Sequence, residues 1–332
     1  MSHSLTIVTY HFVRDARHSR YPAIKGRDLE AFRGQLDFMR KHYTFVSVED
    51  IFSAIDGRTD GLPNAAALLT FDDGYIDHFT NVFPLLHEMG IQGCFFPPAQ
   101  AVREHRVLDV NKIHFILASV ADPKALVGAI LETVRAEKAE YGLQDPPYYL
   151  EHFSTGHRYD PPEIIFVKRM LQRGLPDRLR ARLLDDLFRQ HVTSDEPAFA
   201  RELYLDEGQL RCMRRHGMFI GSHGDAHCWL DSISADQQER EIELSKRFLA
   251  DLGCDTARWV MCYPYGGYNE SLLALLRRAG CGLGLTVNVG LADLRSEDRL
   301  TLSRLDTNDL PTRSNSDLDP WTLCAIRRTA QT

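Results

Sequence analysis

The chain has no apolar run approaching the roughly 18 residues that a membrane span needs, so a transmembrane anchor is not expected. It has no basic start followed by a long apolar stretch. MSHSLTIVTYHFV reads as a strand that begins at once rather than as an export signal, and the expected location is cytoplasmic. It has no excess of positive charge: 39 basic against 46 acidic residues give a net charge of −7. That argues against nucleic acid as a partner, whose footprint is basic. The seven cysteines have no C-x-x-C spacing, and an odd, scattered set fits free thiols better than a disulfide framework. There is no internal repeat and no low-complexity tract. What remains is ordinary for a globular protein, 44% hydrophobic and 26% charged over 332 residues. That length fits one large domain, or a domain carrying an insertion.

Short apolar runs alternate with amphipathic stretches. Residues 5–13 (LTIVTYHFV), 44–48 (TFVSV), the ALLTF run before Asp72, and QGCFFPP read as strands. Between them lie helical spacings, one starting after Asp28 and another stopped by Gly90. Strand and helix in alternation imply a parallel sheet covered by helices. From about residue 103 to 202 the pattern is helical and poor in strands, with PPYYLEHFSTGHRYDPPE as an irregular link. This stretch reads as a helical insertion. The α/β rhythm then returns over 203–310, and 311–332 reads as a loosely held tail.

Four short stretches carry chemistry. In LLTFDDGY, Asp72 and Asp73 end a strand. Asp and Gly favour turns, but groups at the carboxyl ends of parallel strands are also where reactions occur. In IGSHGDAHCWL, His223 and His227 are four apart, a spacing that places two imidazoles on one face of a helical turn. Two polar loop residues are the plainer reading. A carboxylate from another strand end would complete a two-His, one-Asp metal set. MCYPYGGYN is either a strand-ending turn or a pocket wall, with Tyr263, Pro264 and Tyr265 in it and a backbone N–H aimed at an oxyanion. His11, at the end of the first strand, is either structural or a general acid.

Together these pieces resemble the polysaccharide deacetylase family (the NodB-homology, carbohydrate esterase 4 group). The carrying residues are Phe71-Asp72-Asp73-Gly74, His223-Gly-Asp-Ala-His227, and Tyr263-Pro264-Tyr265-Gly266. The resemblance covers roughly 1–102 and 203–310. It implies a distorted (β/α) barrel of about seven parallel strands and a divalent-metal amide hydrolase. Carried over, Asp73, His223 and His227 would hold the metal, Asp72 would be the general base, and the Tyr265 N–H would bind the oxyanion. An N-terminal strand ending in Tyr10-His11 resembles the branch in which that strand supplies the general acid, here His11. There are two departures. Cys262 stands where many members have an arginine, and Leu302-Ser-Arg304 stands where many have Leu-x-His. Arg304 would then orient Asp72, bind substrate or form a surface ion pair.

The expected activity is removal of an N-acetyl group from an intracellular amino sugar on a nucleotide or lipid carrier. A deformylase or another linear-amide hydrolase is the nearest alternative, and a non-catalytic sugar-binding barrel is a third. The expected cofactor is a divalent metal, zinc first, with cobalt, nickel or iron able to substitute. The expected partner is a small N-acyl sugar, and assembly as a homo-oligomer is allowed. Tyr148, Tyr149, Phe153 and Tyr159 line a sugar pocket or pack a core. The basic run FVKRMLQRGLPDRLRARLL grips a diphosphate or forms a solvated helix face.

Overall fold

The computed structural model describes residues 3–155 and 160–329. The chain forms two compact units. One comprises Met1–Asp15, Gly26–His105 and Arg201–Thr332; the other comprises Ala16–Lys25 and Arg106–Ala200. That Ala16–Lys25 joins the helical unit was not legible in the sequence.

The first unit contains the strands β1 (Ser4–Tyr10), β2 (Thr44–Phe45), β3 (Ala66–Asp72), β4 (Gly93–Phe96), β5 (Phe219–Ile220), β6 (Trp259–Cys262), β7 (Cys281–Val289), β8 (Ala292–Asp293) and β9 (Leu302–Asp306). Seven of them run parallel in the order β5-β4-β3-β1-β9-β7-β6. Just past β5, Ser222 bridges Met261 of β6. Ser222 N–H donates to Val260 O, and Cys262 N–H donates to Ser222 O, both at 2.9 Å. The two edges of the sheet therefore meet, and the result is the distorted (β/α) barrel expected. β2 pairs parallel with the start of β3, and β8 lies antiparallel to the start of β1.

The helices of this unit are α1 (Leu29–His42), α2 (Val48–Ile55), α3 (Phe83–Met89) and α4 (Ala99–Glu104). After the second unit's α5 (Asp109–Ser119), α6 (Pro123–Tyr141), α7 (Pro146–Phe153), α8 (Pro162–Arg169) and α9 (Asp177–His191), α10 (Glu196–Leu203) leads back. There follow α11 (Glu207–Arg215), α12 (Ala235–Asp251), α13 (Glu270–Arg278) and α14 (Pro320–Thr329). Local chemistry sets their ends. Asp28 caps α1 by accepting from Glu30 and Ala31 N–H, and Arg40, Lys41 and His42 complement its negative end. Ser234 and Gln237 form a capping box on α12. Gly90, at φ 66°, stops α3.

The side-chain alternation of the strands explains where the site lies. In β1, Leu5 and Ile7 belong to one apolar cluster and Val8 and Tyr10 to another. The same split separates Leu68 from Leu69 and Phe71 in β3, and Val260 from Met261 in β6. The first cluster takes alternate residues from strand after strand and includes Val48, Ile51 and Phe52 of α2; it fills the barrel. The second lies between strands and helices, with Phe32, Leu249 and Leu272 in it. β3 is buried at all seven positions because both of its faces are covered. Following the interior alternation to the strand ends gives Thr9, Thr70, Asp72 and Arg304. The filling turns polar at the C-terminal mouth.

In the second unit, Lys112 is buried and held by Asp185 at 2.6 Å and Glu196 at 3.0 Å. In the basic run, Lys168, Arg180 and Arg182 pair with Asp160, Asp109 and Glu137. Tyr149 is buried, Tyr148 is exposed and stacks on His152, and Tyr159 lies outside the described residues.

Three local expectations differ from the structure. TFVSV is a two-residue strand followed by α2, because Ser47 and Asp50 close a capping box that starts a helix at Val48. PPYYLEHF is helical, with proline at its first turn where a missing N–H costs nothing. The tail is not loose: it forms α14, whose Thr322 accepts a 2.8 Å hydrogen bond from the Tyr43 hydroxyl.

Candidate metal and catalytic centre

β3 ends in Asp72, whose side chain follows the interior alternation. The chain then turns sharply: Asp73 and Gly74 both have positive φ, 71° and 70°. The turn requires glycine at 74, since a Cβ there would lie 2.7 Å from Pro97 Cβ. The turn also separates the two carboxylates into different surroundings.

Asp72 is buried. Arg304 from β9 donates to it twice, Nη2 to Oδ2 at 2.9 Å and Nη1 to Oδ1 at 3.1 Å. Thr9 Oγ1 donates to Oδ2 at 3.2 Å. Arg304 is itself fixed, with Nε donating to Thr286 O at 2.7 Å and Nη1 to Thr70 Oγ1 at 3.2 Å. Burial alone would push the Asp72 carboxyl up, but Arg304, His223 and His11 hold it well below the usual carboxylate range. Asp72 is therefore ionised at neutral pH.

Asp73 faces the histidines. Its Oδ1 lies 3.4 Å from His223 Nε2 and 3.3 Å from His227 Nε2, while its Oδ2 accepts from the Tyr75 hydroxyl at 2.6 Å. The two His rings are 4.8 Å apart. Burial would raise the Asp73 carboxyl, but its bonds to the two imidazoles hold it well down. His223 Nδ1 lies 2.7 Å from Cys262 O and donates to it, which leaves Nε2 as the nitrogen that faces Asp73 and would carry the lone pair for a metal.

These three donors lie within 4.8 Å of one another and are all buried. They fit a divalent ion. Separations of 3.3–3.4 Å are long for N–H···O bonds. They match the roughly 3.4 Å between two ligands of a tetrahedral ion bound at about 2.0–2.2 Å. A second group, Asp72, His223 and Cys262, is equally compact. It suits a metal less, because Arg304 already neutralises Asp72 and burial pushes the Cys262 thiol up.

The i, i+4 spacing of His223 and His227 suggested a helical turn, and that expectation fails. The segment is a loop in which Gly224 (φ 75°) and His227 (φ 55°) are left-handed. Sequence spacing put the two imidazoles together for the wrong reason. His11 lies exposed just past β1, and its charge acts on Asp72, Asp73 and His227. Its carbonyl accepts from His78 Nε2 at 2.9 Å. Tyr265 has φ 56° and places its ring 4.7 Å from His227 and 4.5 Å from Trp229, stacked on the latter. Pro264 is buried beside Gly224.

Two expected substrate contacts are corrected. Tyr263 is fully buried and its hydroxyl donates to Leu300 O at 2.8 Å, so it is a core residue. Arg304 is 3% exposed, with its guanidinium spent on Asp72, Thr70 and Thr286. It orients Asp72 rather than contacting a ligand. Sequence reasoning missed Thr9, Tyr75 and His78. Thr9 was recoverable, since it continues the interior alternation of β1 toward the site.

The fold and this cluster define a distorted (β/α) barrel with a two-His, one-Asp cluster at the C-terminal ends of its strands. Residues 188–283 match the family described as polysaccharide deacetylase. The putative polysaccharide deacetylase YxkH of Bacillus subtilis (strain 168) is 32% identical over 102 residues, which cover 31% of this chain and 36% of that relative. The chain thus matches little more than a third of that relative's length. Among solved structures, the Streptococcus pyogenes deacetylase PplD in complex with acetate aligns with TM-score 0.58 at 18% identity, over 97% of each chain. IcaB from Ammonifex degensii aligns with TM-score 0.52 at 17% identity, over 98% of this chain and 97% of that one. The de-N-acetylase from Aggregatibacter actinomycetemcomitans gives 0.53 at 14%, over 95% and 97%. These alignments show likeness of fold. The motif residues His223 to Pro264 fall inside the segment that matches the polysaccharide deacetylase family.

Proposed function

We propose that the protein is a divalent-metal-dependent hydrolase that removes an N-acetyl group from an amino sugar. The observation that carries this is the donor triangle Asp73, His223 and His227 set beside an ionised, Arg304-tethered Asp72. A divalent ion, when held by the triangle, supplies Lewis-acid chemistry and lowers the pKa of water. The chain's own residues do the rest. Asp72, kept ionised and aimed by Arg304 and Thr9, takes the proton of the attacking water. The Tyr265 backbone N–H donates to the developing oxyanion. His11 gives a proton to the departing amine as the C–N bond breaks, and acetate and the free amino sugar leave. The exposure of His11 supports this role, because it can reach a ligand as well as solvent.

We propose an intracellular, carrier-linked N-acetyl sugar as the substrate and zinc as the metal, as two neutral imidazoles and one carboxylate favour. The test is to incubate zinc-loaded protein with nucleotide-linked N-acetyl sugars, N-acetylated oligosaccharides and N-formyl analogues, following acetate, formate and product mass. The expected result is acetate release from a carrier-linked sugar, abolished by chelation. Release from oligosaccharides only would overturn the substrate, formate release only would overturn the acyl group, and no turnover of any amide would overturn the reaction.

A further inference from the structure

His227 is held differently from His223. The Nδ1 of His223 is anchored on Cys262 O, whereas His227 Nδ1 is buried and has no hydrogen-bond partner among the described residues. A ligand imidazole ordinarily gets its aim from a bond at its second nitrogen. Apart from ring packing against Tyr265, His227 gets its aim from the backbone that carries it, and that backbone is left-handed at Gly224 and His227.

The backbone is held by α12. Glu241 Oε2 accepts from two successive loop amides, Asp225 N–H at 2.9 Å and Ala226 N–H at 3.1 Å. One turn further on, Ser245 Oγ accepts from Ser222 Oγ at 2.9 Å, and Ser222 Oγ in turn accepts from Gly224 N–H at 3.1 Å. One turn earlier, Gln238 Nε2 donates to Leu230 O at 2.7 Å. Residues 238, 241 and 245 lie on one side of a helix. Gln238 and Ser245 are both 1% exposed, on the stripe where a covering helix would ordinarily be apolar. The loop is shaped to receive it: a Cβ on Gly224 would come within 3.3 Å of Glu241 Oε2.

We propose that Glu241 is the positioning residue for the His223–His227 loop, and that the polar stripe of α12 sets the affinity and geometry of the metal site. This rests on the metal-dependent reading above. Glu241 acts through the loop backbone, as an acceptor shared by two amides, and touches neither metal nor substrate. Loss of such outer support typically weakens a metal site about 10- to 100-fold.

The test measures Zn²⁺ affinity by competition with a fluorescent chelator, with the thermal midpoint of the metal-free protein recorded beside it. Glu241→Ala should weaken zinc about 10- to 100-fold. Glu241→Asp keeps the charge but shortens the reach, and should weaken zinc too. Glu241→Gln retains an acceptor oxygen and should bind nearly as wild type, as should Glu243→Ala, an exposed change on the same helix. Unchanged zinc affinity in Glu241→Ala would overturn the proposal. If Glu241→Ala fails to fold, Glu241→Asp decides in its place: unchanged affinity there overturns it. If the wild-type protein itself bound no zinc, it is the metal-dependent reading that would fall.

Discussion

Adjacent carboxylates repel, and the barrel separates Asp72 and Asp73 by giving each its own partners. Arg304 and Thr9 take Asp72; two imidazoles and the Tyr75 hydroxyl take Asp73. The Asp72–Arg304 pair is buried, so removing either partner would leave an uncompensated charge. His78 adds a titrating group behind the site. Burial pushes its imidazole down to about 4, below the ordinary 6.5. The unfolded chain therefore binds this proton more tightly than the folded one. Stability from the neutral form is complete above pH 6.5 and is lost as pH falls toward 4, by up to about 3 kcal/mol. The Asp72 and Asp73 contributions, held below the usual carboxylate range, are lost only at lower pH. Asp225, raised to about 6 by burial and by Glu241, gains stability over the same range, so the check is the difference: between pH 7 and 4 the thermal midpoint of metal-free wild type should lose more, or gain less, than that of His78→Phe. An identical slope in the variant would show that His78 does not titrate in this window.

At the scale of elements, the site depends on how strands end. β3 was legible as an apolar run, and its termination in Asp-Asp-Gly was legible as a turn or a site; the turn is there, and it gives the two carboxylates separate surroundings. Gly74 illustrates the cost of changing the turn. Gly90 has a similar positive φ, but a Cβ there would meet nothing within 4 Å. Gly90→Ala should therefore lose about 1 kcal/mol from left-handed strain alone. Gly74→Ala adds a contact of 2.7 Å with Pro97 and should lose clearly more, read as a larger drop in thermal midpoint. Equal drops would mean that Pro97 yields freely. What the sequence did not show at this scale follows from tertiary contacts. The His223–His227 loop mimics a helical spacing. α7 and α14 begin at prolines, which in isolation read as breaks. The polar stripe of α12 reads as surface until its bonds to the ligand loop are seen.

At the scale of the whole molecule, seven parallel strands close through the Ser222–Met261 bridge, which draws β5 and β6 together. That closure brings His223 against Cys262, and hence the His223–His227 loop against the end of β3. The barrel and its strand-end acids were legible because periodicity and order are local properties. Arg304 was ambiguous because its partner lies 232 positions away in the chain. Residues 16–25 group with the helical unit although nothing local in the sequence marks them so. The central claim is that neighbouring aspartates divide the work, one holding metal and one moving a proton. The most direct test is zinc binding and turnover measured together on Asp73→Ala and Asp72→Asn. The account predicts that Asp73→Ala loses zinc, while Asp72→Asn keeps zinc and loses about 10²- to 10⁴-fold in turnover. Equal loss of zinc in both variants, or full turnover in Asp72→Asn, would contradict it.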